Sequence, residues 1–226
     1  MQLENKYAPS CLDEVIFPNA ALERRIKGYA TGELQGHIIL HGPNGTGKTT
    51  VANLIVNQLG GEHPQIDRND ADELLAKSDL KMYLKQAASF AAITTSEKYF
   101  LILNEFENTK KSLSKFWTAL DTCGQGVMAV ITTNQPMEIH PSIRSRCDMI
   151  ELPGVTANSA LLRIQECLKA EGLVLPDAQV LHYLKTKEHF KDLRKYFKVA
   201  EEILFLWNSD QEMPHWKEQK LSLKIV

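Results

Sequence analysis

Short apolar runs recur through the first two thirds of the chain without the polar alternation of a half-exposed strand. His37-Ile38-Ile39-Leu40-His41, Tyr99-Phe100-Leu101-Ile102-Leu103 and Val127-Met128-Ala129-Val130-Ile131 read as buried strands. Met149-Ile150-Glu151-Leu152 reads as a weaker fourth, and Gln65-Ile66 as a short further strand. Between them the apolar spacing lengthens to a helical period, over roughly 48–59, 71–92 and 110–121. Strands of this kind separated by helices predict an α/β fold, a parallel sheet with helices on both faces.

After Pro153-Gly154 the strand pattern stops. Helical periodicity follows near 157–171, 177–187 and 190–207, with Leu161, Leu162, Ile164 and Leu168 as one expected apolar stripe. Asp177, after Pro176, is the expected cap of the second of these helices. The pattern divides the chain into an α/β nucleotide-binding domain over 1–154, a small helical domain over 155–207 and a tail over 208–226. The tail carries Pro214, Trp216 and several lysines, without a period.

Composition narrows this picture. A chain of 226 residues, 43% hydrophobic, is long enough for one large domain and one small one. With 26 Lys+Arg against 28 Asp+Glu, contact with nucleic acid would need a local basic patch. No apolar run reaches the ~18 residues of a membrane span, and the N-terminus lacks the apolar core of a signal peptide. Cys11, Cys123, Cys147 and Cys167 are far apart and form no C-x-x-C pair, which fits reduced thiols in a cytosolic compartment better than a zinc site.

The chemistry begins at Gly42-Pro43-Asn44-Gly45-Thr46-Gly47-Lys48-Thr49, which matches the phosphate-loop pattern G-x-x-x-x-G-K-[ST] in full, with Thr50 next in line. It follows a predicted strand and opens a predicted helix, the context this motif requires. Glycines let backbone N–H groups converge on phosphate oxygens, and the helix N-terminus adds its dipole. Lys48 can reach the β- and γ-phosphates of ATP, and the Thr49 hydroxyl can ligate Mg2+. Leu101-Ile102-Leu103-Asn104-Glu105 stands where an ATPase carries a strand ending in Asp-Glu. Asn104 keeps an acceptor oxygen without the charge, so a weaker hold on Mg2+ is expected. Glu105 is the candidate general base. A plain strand end beside a turn is the alternative for both.

Further segments line up with one family. Lys6-Tyr7-Ala8-Pro9 and Leu12-Asp13-Glu14-Val15-Ile16 resemble the opening of clamp-loader subunits. Thr132-Thr133-Asn134 resembles their sensor strand, Ile143-Arg144-Ser145-Arg146-Cys147 their S-R-C motif, and Asp192-Leu193-Arg194-Lys195 their lid motif. The order holds from residue 4 to about 207. Together the sequence resembles AAA+ sliding-clamp-loader subunits, among them the large subunit of T4-like phages and the small subunits of replication factor C.

That resemblance implies an AAA+ P-loop fold with a helical lid, and an ATPase that loads a sliding clamp onto primer-template DNA in replication. It implies that Asn134 senses the γ-phosphate or the attacking water, and that Arg194 reaches the phosphates from the lid. Arg146 would act on the nucleotide of a neighbouring subunit. Tyr7, Pro9, Val15 and Ile16 would lie on the base side; the family's arginine is Ala8 here, so one polar contact is missing. An N-terminal arm packed on the core is the alternative for these four. The implied partners are other clamp-loader subunits, the clamp, and DNA contacted through phosphates. Lys77, Lys81, Lys110 and Lys111 are DNA candidates against the reading of a solvated face. Phe116 and Trp117 would touch the clamp or, as large aromatics, fill the core. The compartment would be host cytoplasm for a phage protein and the nucleus for a eukaryotic one.

Two departures matter. Asn104 favours a non-hydrolysing, nucleotide-gated subunit over a motor. The family's third helical domain, the oligomeric collar, would begin near residue 210, and the sequence ends at Val226. A P-loop kinase for a small molecule is a further reading that the S-R-C motif and lid arginine disfavour.

Overall fold

The computed structural model describes residues 2–69, 74, 77–93, 98–106 and 113–209. By internal contacts the chain forms two units. One is Pro9–Gly154; the other joins the first eight residues to the chain from Val155 onward.

The first unit holds α2 (Ala20–Thr31), β1 (His37–His41), α3 (Lys48–Gly60), β2 (Gln65–Asn69), α4 (Leu80–Ala91), β3 (Tyr99–Leu103), α5 (Leu113–Cys123), β4 (Val127–Thr133), the short α6 (Pro141–Arg144) and β5 (Cys147–Glu151); α1 (Leu3–Lys6) belongs to the other unit. The five strands are all parallel, in the order β2-β3-β4-β1-β5. The inner strands are buried on both faces, which is why their sequences do not alternate. Ile39, Leu101, Leu103, Ala129 and Ile131 face Leu84 of α4 and Phe116, Trp117 and Leu120 of α5. Ile38, Leu40, Phe100, Ile102 and Val130 face Ile26 and Tyr29 of α2 and Val51 and Ile55 of α3.

Several expectations change. Helix α2 carries no label in the sequence reading; Asn19 caps it by accepting from Leu22 N–H at 2.9 Å, and Gly32 ends it at φ 80°. Of the helix expected over 71–92, Leu80–Ala91 is helical, residues 77–79 are not, and residues 71–73 and 75–76 lie outside the described residues. Phe116 and Trp117 are core residues, with ring centroids 4.8 Å apart, so neither offers a surface to a clamp.

The second unit packs α1 with α7 (Ala157–Ala170), α8 (Asp177–Lys185) and α9 (Leu193–Asn208). Leu3 N–H donates to Glu201 Oε1 at 2.8 Å, fastening the N-terminal segment to α9. The buried stripe of α7 is Ala157, Ala160, Ile164, Cys167 and Leu168. Leu162, expected in that stripe, is 68% exposed, because it lies a half-turn from Ile164. Pro176, not Asp177, is the N-cap of α8; Asp177 is the first helical residue and accepts from Gln165 Nε2 at 2.6 Å. The lysines Lys110 and Lys111 and the tail beyond residue 209 lie outside the described residues. Among the described residues, no helix is long and apolar enough to cross a membrane.

Candidate functional site

In a parallel sheet all strands deliver their C-terminal ends to one edge, and ligands bind where the strand order reverses. Here β1 continues into α3 toward β2, while β5 lies on its other side. The loop 42–47 therefore leaves the sheet at that reversal.

Its conformation follows from its glycines. Gly42, Gly45 and Gly47 have φ of 144°, 70° and 82°, a region that L side chains rarely enter. A Cβ on Gly42 would stand 2.1 Å from the Leu152 carbonyl oxygen, because the residue after β5 stays alongside β1, Leu152 N–H donating to His41 O at 2.7 Å. A side chain at Gly47 would meet nothing within 4 Å, so only its backbone angle calls for glycine. The first α3 turn is set by Val51 N–H donating to Gly47 O at 2.8 Å. The amides before Val51 face out of the helix end, where an anion is favoured. Lys48 Nζ donates to the carbonyls of Gly42 (2.8 Å) and Pro43 (2.7 Å), folding its ammonium over the loop. Thr46 Oγ1 braces the loop by donating to Pro43 O at 3.1 Å. Thr49 is exposed and Thr50 half-buried, while Asn53 Nδ2 holds Thr49 O at 2.7 Å. Burial holds the His41 imidazole below its ordinary range, against an opposing pull from Glu151 and with Lys48 adding to the effect.

Strand register brings the other loop-side residues to the same edge. Leu103 pairs with Ile131 and His41 with Thr133, so Asn104 and Asn134 leave the sheet at the same edge as the phosphate loop, Asn134 from the strand next to β1 and Asn104 from the one beyond. Glu105 has φ 49°, one of two non-glycine residues in the left-handed region among the described residues. A strained backbone of this sort costs of order ~1–3 kcal/mol and persists only where neighbours enforce it. The neighbour is Thr132, 1% exposed: its hydroxyl accepts from Glu105 N–H at 3.2 Å and lies 3.4 Å from Asn104 Oδ1, and its carbonyl accepts from Phe106 N–H at 2.9 Å. Phe106 is buried in the core, so the turn is anchored from both sides. Thr133 Oγ1 similarly accepts from Gln135 N–H at 3.0 Å, beneath exposed Asn134.

The donor set suits a triphosphate: a glycine loop, a helix end and an ammonium. Candidate oxygen donors for Mg2+ are the Thr49 hydroxyl and the Asn104 amide, both neutral, and Glu105 follows Asn104 in the chain. Among the described residues, no group of three or more His, Cys, Asp or Glu forms a metal cage. An ion that keeps several waters and takes its charge from phosphate oxygens fits such a place.

Arg146 is elsewhere. It directly precedes β5, whose Cys147 is level with His37 at the start of β1. It therefore stands at the opposite edge of the sheet from Gly42, about 20 Å away along the strand direction at ~3.3 Å per residue. Arg144 turns a different way: its Nη1 donates to Met137 Sδ at 3.1 Å.

In the helical unit, Arg194 opens α9, with Nε 3.4 Å from Glu4 Oε1. Tyr7 donates its hydroxyl to Glu171 Oε1 at 2.7 Å, and its carbonyl accepts from Arg163 Nη2 at 2.9 Å. In the first unit, Pro9, Val15 and Ile16 are half-buried, and Val15 packs on the α2–α3 side of the core. Of the described DNA candidates, Lys77 lies over the Tyr83 ring at 4.2 Å and Lys81 is exposed. Thr132 stands in the segment that resembles the sensor strand, but its hold on Glu105 is a contact between adjacent strands that the local sequence does not signal.

Comparisons with known proteins give the family and the fold. The sequence model of the ATPase family associated with various cellular activities (AAA) matches residues 38–154, just over half the chain. The sliding-clamp-loader large subunit of Escherichia phage RB69 is 28% identical over 203 residues, covering 85% of this chain and 61% of that protein. Replication factor C small subunit 1 of Pyrobaculum arsenaticum is 26% identical over 176 residues, covering 76% of this chain and 53% of that protein. The chain thus spans little more than half the length of these relatives. A structure of a point variant of Thermotoga maritima RuvB superposes with a TM-score of 0.68 at 19% identity, over 91% of this chain and 68% of that one. That likeness speaks for the fold alone.

Proposed function

We propose that this chain, which belongs to the AAA family of ATPases, is the ATP-binding motor subunit of a sliding-clamp loader. It would use ATP binding and hydrolysis to place a clamp on primer-template DNA. Support comes from the relatives above and from the order of motifs along the chain. The observation that carries the proposal is the placement of Arg146 at the edge of the sheet opposite the phosphate loop. The gap exceeds the reach of an arginine side chain, which rules out the chain's own nucleotide and supports a role for this guanidinium on that of a neighbour.

The residues divide the work as follows. The loop amides and Lys48 bind the β- and γ-phosphates. Thr49 and Asn104 would hold the metal. Bound Mg2+ would neutralise charge developing on the phosphate oxygens. Glu105, fixed by Thr132, orients the attacking water and takes its proton. Asn134 hydrogen-bonds the γ-phosphate or that water. Arg194 and Tyr7 keep the phosphate-side and base-side roles implied by resemblance. Arg146 of a neighbouring subunit stabilises transition-state charge, a contribution of about 10³–10⁵ in turnover where an arginine is supplied in trans. DNA would be held through its phosphates, with Lys81 a candidate contact.

Asn104 favours a second reading, a subunit that binds nucleotide and gates assembly without turnover. Phosphate release separates the two. The motor reading predicts slow release by the isolated chain and a large rise when partner subunits, clamp and primer-template DNA are added. Full turnover by the isolated chain would refute the trans arrangement, and no rise on assembly would favour the gating subunit.

A further inference from the structure

Arg146 does not hang freely from the surface. Its Nε donates to both carboxylate oxygens of Asp121, at 3.2 and 3.3 Å, and its Nη1 donates to the Ser142 carbonyl at 3.0 Å. Each anchor is rigid for its own reason. Asp121 lies on α5 directly after Leu120, a core residue, and Ser142 lies in α6 beside Ile143, another core residue. The two anchors thus stand on one hydrophobic core. Among the described residues Nη2 has no partner, so the distal edge of the guanidinium is presented outward.

We infer that Asp121 is a positioning residue for Arg146: it clamps the guanidinium at Nε and aims the Nη edge at the nucleotide of the neighbouring subunit. This rests on the trans role proposed above. A long, flexible arginine that must meet a phosphate across a subunit boundary loses rotamer freedom on doing so. Holding it in place beforehand removes that loss from the reaction step, and a misplacement of about 1 Å can cost ~10²-fold in rate. The pair has little other purpose. Its side chains are 41% and 53% exposed, and an exposed ion pair contributes little to folding. Asp121 accepts only at Nε and the Ser142 carbonyl takes one Nη1 hydrogen, leaving Nη2 and the second Nη1 hydrogen for phosphate oxygens.

The test uses the assembled complex with its partner subunits, at about pH 8, where the nearby His37 is neutral. Asp121→Ala is expected to lower kcat for ATP by roughly 10- to 100-fold, with KM for ATP unchanged, because the chain's own loop is untouched. Asp121→Asn, which keeps an acceptor oxygen for Nε, should recover much of the rate. In an Arg146→Ala background, Asp121→Ala should cause no further loss, since nothing remains to position. If Arg146→Ala alone leaves turnover unchanged, the trans role itself fails. If Arg146→Ala is strongly impaired while Asp121→Ala matches wild type, the positioning inference fails alone. A rise in turnover with Asp121→Ala would also overturn it, marking the pair as a restraint rather than an aim.

Discussion

The amide of Glu105 donates to the buried hydroxyl of Thr132 at 3.2 Å. The proposed base is thus positioned by a side chain on the adjacent strand, and its left-handed backbone is held from below. Thr132→Val keeps the shape and removes the acceptor. An orphaned donor costs about 1–3 kcal/mol, so denaturant unfolding should show a loss of that size. ATP affinity should stay near wild type while turnover in the assembly falls. Unaltered turnover would detach Thr132 from the chemistry.

Asn104→Asp restores a charge beside the proposed metal position. We expect faster phosphate release and a half-saturating Mg2+ concentration lower by about tenfold, equivalent to ~1.4 kcal/mol. A magnesium titration of turnover reads both. An unchanged titration would mean that Asn104 takes no part in holding the ion.

Two of the loop glycines, Gly42 and Gly47, should respond differently to alanine. Gly42→Ala drives a methyl against the Leu152 carbonyl, so unfolding stability should drop by more than about 3 kcal/mol, with nucleotide binding lost. Gly47→Ala meets open space and should cost about 1–2 kcal/mol from its backbone angle alone. Equal losses at both sites would contradict this account of the loop.

Much of this site is written in local sequence. Gly42 to Thr49 declares itself because a phosphate loop is one continuous segment, and the runs at 37–41, 99–103 and 127–131 declare buried strands because they do not alternate. What sequence leaves unseen depends on contacts between distant segments. Thr132 meets Glu105 across 27 positions, and Asp121 meets Arg146 across 25. Helix α2 escaped notice because its buried positions Ile26, Tyr29 and Ala30 form a narrow stripe within a polar sequence. Tyr7, read beside the strands, makes its side-chain contact with Glu171 in the helical unit, a pairing 164 positions apart.

His37 gives the fold a pH dependence. Its Nδ1 accepts from Ala129 N–H at 3.1 Å, and burial holds the imidazole below its ordinary range, against an opposing pull from Asp121. With the folded value depressed, the unfolded chain gains a proton first as pH falls through about 6.5. Stability from this residue is complete above that pH and declines below it, until the folded imidazole itself protonates. Melting temperatures from about pH 7.5 to about 5.5 should fall less steeply for His37→Gln than for wild type. Parallel curves would rule this residue out.

The central claim is that residues 42–49 wrap the phosphates of ATP, and equilibrium binding of a fluorescent ATP analogue to the purified chain tests it most directly. Saturable binding with Mg2+, competed by ATP and weakened at least about tenfold (~1.4 kcal/mol) by Lys48→Ala, is the predicted result. Absence of binding at every magnesium concentration, or equal binding by the Lys48→Ala chain, would contradict it.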